Sequence, residues 1–75
     1  MVKLPILSGK DVCEILAKHG FEKIRQRGSH IIMQKKSGSS TITVPVPNHK
    51  EIKSGTLKSI IRQSKLPINE FESWP

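Results

Sequence analysis

A single cysteine, Cys13, stands in the 75 residues, so no disulfide can close within the chain. The expectation is a reducing, cytoplasmic setting. Cys13, His19, His30 and His49 lack the spacing of metal ligands, and no structural zinc is expected. No apolar run comes near the roughly 18 residues of a spanning helix. The opening MVKLPILSGK is too short and too poorly shaped for a secretory signal. A Gly-rich phosphate loop, a GxSxG elbow and an internal repeat are all missing as well. Neither a cofactor nor a membrane partner is therefore expected. Carboxylates are the other shortage. Only 6 Asp and Glu stand against 13 Lys and Arg, for a net charge of +7. That excess suits a polyanion, and nucleic acid is the commonest one.

The length allows one domain, residues 1–75, with a thin core. Ser8 reads as an N-cap, with Asp11 three residues on completing a capping box. Leu7 and Val12 suit a hydrophobic staple, and Val12, Ile15 and Leu16 mark one helical face. Gly20 fits the left-handed position that ends a helix. A helix is expected over about 8–19. Three strands follow at about 22–27, 30–36 and 41–46, separated by Gly28-Ser29 and by SGSS. Pro45 cannot donate to a ladder, so the third strand is expected at an edge. Ser54 suits the cap of a second helix over about 55–65, with Leu57, Ile60 and Ile61 inward. Leu66-Pro67 stops it, PINEF suits one more turn, and ESWP reads as loose, with Trp74 able to dock.

The fold class is thus α+β, in the order α-β-β-β-α. The economical arrangement packs both helices on one face of a three-stranded antiparallel sheet. Alternation sends Ile24, Ile31, Met33, Ile42, Val44 and Val46 to the core. It sends Lys23, Arg25, Arg27, His30, Ile32, Gln34 and Thr43 to the bare face.

In order and spacing, LSGKDVCEILAKHGF, RQRGSH, TITVPVP and KSGTLKSIIRQSKL resemble the HicA toxins of bacterial toxin–antitoxin pairs. The resemblance runs over about residues 4–71. It implies a double-stranded-RNA-binding-like (dsRBD-like) fold and a metal-independent mRNA interferase, an endoribonuclease that cuts mRNA. It also implies a HicB antitoxin partner that covers the active surface. The family's catalytic histidine lies in a G-S-H motif, here Gly28-Ser29-His30. Three departures fall at loop and cap positions. Pro47-Asn48 precede His49 where many members have a histidine directly, Lys65 stands where many have glycine, and Ser54 stands where proline is frequent.

RNA carries its own nucleophile, the 2′-hydroxyl. An imidazole, with an ordinary pKa of about 6.5, is the side chain best suited to take its proton near neutrality. His30 is the expected base, and Arg25 or Arg27 the expected support for transition-state charge. Ser29 is expected to order the turn. Lys35 and Lys36 either solvate a hairpin tip or touch phosphates. Lys53 and Lys58 flank a helix start that either takes a plain cap or holds a phosphate. The expected RNA contacts are therefore Arg25, Arg27, Gly28, Ser29, Lys35, Lys36, Lys53 and Lys58. The competing reading is a non-catalytic module that reads RNA duplex shape.

Overall fold

The chain enters its first helix, α1 (Gly9–Lys18), through a reciprocal cap. The Asp11 amide donates to Ser8 Oγ at 3.0 Å, and the Ser8 amide donates to Asp11 Oδ2 at 3.0 Å. Two donors that a helix start leaves unpaired are thereby satisfied. The exit is a Schellman turn. Gly20, at φ +93°, donates to the Ala17 carbonyl, and Phe21 donates to the Leu16 carbonyl. Phe21 is then turned down into the core. A computed structural model describes residues 4–73, so the expectation for Trp74 lies outside the described residues.

Strands β1 (Glu22–Arg27), β2 (His30–Ser37) and β3 (Ser40–Pro47) form one antiparallel sheet in the order β1-β2-β3. Gly28 (φ +57°) and Gly38 (φ +61°) open the two tight turns between them. A Cβ at Gly28 would meet nothing within 4 Å, so conformation rather than space calls for glycine there. β3 is an edge strand, as Pro45 requires. Helices α2 (Ser54–Ser64) and α3 (Asn69–Glu72) follow. Ile31, Met33, Val44 and Val46 share one core with Ile15 and Leu16 of α1, Leu57 and Ile60 of α2, and Phe71 of α3. All the helices therefore lie on one side of the sheet, and its other face is bare.

Three local expectations need correction. Ile24 is 45% exposed and lies off the core. The register runs Lys23↔Met33 and then Arg25↔Ile32, so Ile24 is the extra residue of a β-bulge. A bulge sets two residues opposite one and resets the alternation. Ile24 falls on the bare face, beside Gln34 and Lys36, and Lys23 moves to the helical side with Met33. The same reset keeps Arg25 and Arg27 on the bare face. In α2 the cap is Lys53 rather than Ser54, with no side-chain hydrogen bond. Ser54 is already helical, so its hydroxyl lies past the position from which a cap can reach back.

Candidate active site

His30 is the first residue of β2 and is exposed. In register it stands between Arg27 of β1 and Pro47 of β3. Residues opposite one another in an antiparallel pair project to the same face, with Cβ atoms about 5 Å apart. Arg27 and His30 are therefore neighbours on the bare face. The next rung on that face is Arg25, Ile32 and Pro45. Beyond it, Gln34 Nε2 donates to Thr43 Oγ1 at 3.2 Å. Among the described residues, no carboxylate pairs with His30, Arg25 or Arg27. Two guanidinium groups and an imidazole are thus presented together to solvent.

The turn that carries the histidine is tied on both sides. Gln26 Nε2 donates to the Gly28 carbonyl at 3.2 Å, and the Asn48 amide donates to the Ser29 carbonyl at 2.6 Å. The Asn48 bond extends the β2–β3 ladder one residue past β3. These two bonds hold the backbone of Gly28 and Ser29 in the turn that precedes His30.

The lysines disperse. Lys35 alternates with Ile31 and Met33 and so belongs to the helical side. Its ammonium lies 5.9 Å from the centre of the Phe21 ring, a cation–π contact. Lys36 is on the bare face, six residues along β2 from His30 or about 20 Å at the rise of a strand. Lys53 and Lys58 are exposed in the helical layer, at the cap and in the second turn of α2.

A second group of residues gathers at the start of α1, without having been assigned to a site from the sequence. Ser8, Lys10, Asn48, His49 and Lys50 line a depression of about 290 Å³ between the start of α1 and the loop after β3. Asn48 links that loop to the turn before His30. The readable signal was Gly9, whose missing side chain lets the end of β3 close on α1. Elsewhere, Cys13 lies under a groove of about 510 Å³ with Phe21, Ile31 and Met33. Burial pushes its thiol above the ordinary value, against the opposing charge of Lys23. An upward shift suits an inert packing thiol. His19, at the far end of α1, reaches Glu70 Oε2 at 3.6 Å. Among the described residues, no cluster of three or more His, Cys, Asp or Glu is placed to hold a metal. No helix there is long and apolar enough to cross a membrane.

A helix, a three-stranded antiparallel meander and a returning helix, with one sheet face bare and cationic, define a small α+β domain of the dsRBD-like type. The family model described as HicA toxin of bacterial toxin-antitoxin matches residues 9–66, and the chain belongs to that family. It is accordingly the toxin of a toxin–antitoxin pair, with an antitoxin as partner. No curated protein matches the sequence.

Proposed function

We propose that this toxin is an endoribonuclease that cleaves mRNA by general base catalysis at His30 and is silenced by a HicB-type antitoxin seated on the bare sheet face. The observation that carries the reading is the rung Arg27–His30, exposed at the mouth of a tight hairpin inside the matched family region. The ring would accept the proton of a ribose 2′-hydroxyl as that oxygen attacks the adjacent phosphorus. Arg27, and Arg25 one rung away, would meet the charge that builds on the phosphoryl oxygens. The nucleophile comes from the substrate, so the step needs no metal-activated water. Positioning and proton transfer are what the protein has to supply.

The test compares purified wild type with His30→Ala on a defined mRNA. Cleavage is expected to fall by roughly 10²–10⁴-fold, while circular dichroism and RNA retention stay unchanged. Equal cleavage by both proteins would remove His30 from the chemistry. If neither protein cleaves but both bind RNA duplex, the non-catalytic reading takes over.

A further inference from the structure

We propose that His49 is the general acid of the site, the group that protonates the departing 5′-oxygen. This rests on the ribonuclease reading above and supplies the proton donor that reading lacks. The path of the chain is the first ground. Pro47 stands opposite His30, and Asn48 donates to the Ser29 carbonyl at 2.6 Å, so the loop leaves β3 alongside the histidine turn. His49 comes two residues after Pro47. β3 ends at Pro47; carried on at strand spacing, a cross-strand step of about 5 Å and two residues of rise, about 6.6 Å, would put the two α-carbons roughly 8 Å apart. Two imidazoles at that spacing can reach a phosphodiester group held between them.

The second ground is how the loop is held. The His49 carbonyl accepts from the Gly9 amide at 2.8 Å, and the Ile52 amide donates to the Leu7 carbonyl at 2.8 Å. The backbone of His49 is fixed while its side chain is exposed. Lys10 and Lys50 line the same depression and give a phosphate two positive charges to settle on.

Elimination is the third ground. Arg25 and Arg27 cannot release a proton near neutrality. An ammonium group, with an ordinary pKa of about 10.4, is a reluctant donor to an alkoxide at pH 7. His19 lies at the other end of α1, against Glu70. The 2′-oxygen bonds to phosphorus and gives its proton to His30. The bond from phosphorus to the 5′-oxygen breaks, and that oxygen takes the proton of His49. The products are a 2′,3′-cyclic phosphate and a 5′-hydroxyl.

The experiment uses the purified toxin and two RNAs, one natural and one with a bridging 5′-sulfur at the scissile position. A thiolate leaves without needing a proton, so a lost general acid is forgiven on that RNA. His49→Gln is expected to slow the natural RNA by roughly 10²-fold or more, yet to cleave the sulfur RNA within about threefold of wild type. His30→Gln is expected to slow both. Because the structural bond of His49 runs through its carbonyl, the glutamine variant should melt with wild type. Normal cleavage of the natural RNA by His49→Gln, or equal slowing on both RNAs, overturns the assignment while leaving His30 in place. A wild type that cleaves neither RNA overturns the ribonuclease reading, and His49 with it.

Discussion

Gly9 carries a constraint that its helical position does not explain. A Cβ there would lie 2.3 Å from the Pro47 carbonyl oxygen and 2.9 Å from the Asn48 α-carbon. Both obstacles are backbone, which cannot rotate away. In an open first turn alanine would help the helix by a few tenths of a kcal/mol to about 1 kcal/mol. Overpacking against main chain costs about 1–3 kcal/mol, and here it wins. Gly9→Ala is expected to destabilise the fold by about 2 kcal/mol, lowering the melting temperature by roughly 10 °C in a domain this small. Thermal melts of the two proteins decide it. An unchanged midpoint would mean that the end of β3 is free to retreat from α1. The same contact seats Pro47 and Asn48 on α1, and Asn48 also donates to the Ser29 carbonyl of the histidine turn, so one absent methyl group connects stability to the site.

At the scale of elements, the second helix ends with a conflict that a single change relieves. Lys65 sits at φ +61°, where its Cβ crowds the backbone and glycine is at ease. Ser64 supports the turn from within, donating to the Ile61 carbonyl at 2.7 Å and accepting from the Leu66 amide at 3.2 Å. Lys65→Gly is expected to stabilise by about 0.5–1 kcal/mol, read as a higher urea midpoint. Lys65→Ala removes the same charge but keeps the Cβ, and it should show no such gain. A gain shared by both variants would assign the effect to charge instead. Legibility in the sequence followed the same division. α1 could be read completely, because its cap, staple and terminating glycine are all local signals. The bulge at Ile24 could not, because a bulge is a relation between two strands and only the pairing with β2 exposes it. Arg25, Arg27 and His30 were legible as one face by counting in twos. The same count from Ile31 and Met33 would have sent Lys35 to the helical side, where it covers Phe21. The bond from the Asn48 amide to the Ser29 carbonyl was hidden, since it depends on how far the β2–β3 ladder runs past the strand.

For the whole molecule, the question is which side of a chain of net charge +7 meets RNA. Among the described residues, cations stand in both layers. Arg25, Arg27 and Lys36 stand on the bare sheet face, while Lys53 and Lys58 belong to the helical layer on the opposite side. One carboxylate, Glu22, shares the bare face, on the rung with Gln34 and away from His30. A polyanion on that face is therefore drawn toward the histidine end. Each phosphate neutralised on a single strand contributes about 0.7 to the slope of log affinity against log salt. In a His30→Ala background, which prevents cleavage, replacing Arg25 and Arg27 by Gln should lower that slope by about 1.4. Replacing Lys53 and Lys58 by Gln should leave it nearly unchanged. Fluorescence anisotropy of a labelled RNA over a salt series measures both. The reverse pattern would seat the RNA across the helices and leave the histidines of the sheet end without a substrate to act on. Net charge alone cannot separate the two cases, because both double variants remove the same total charge. Only its distribution over the two layers does.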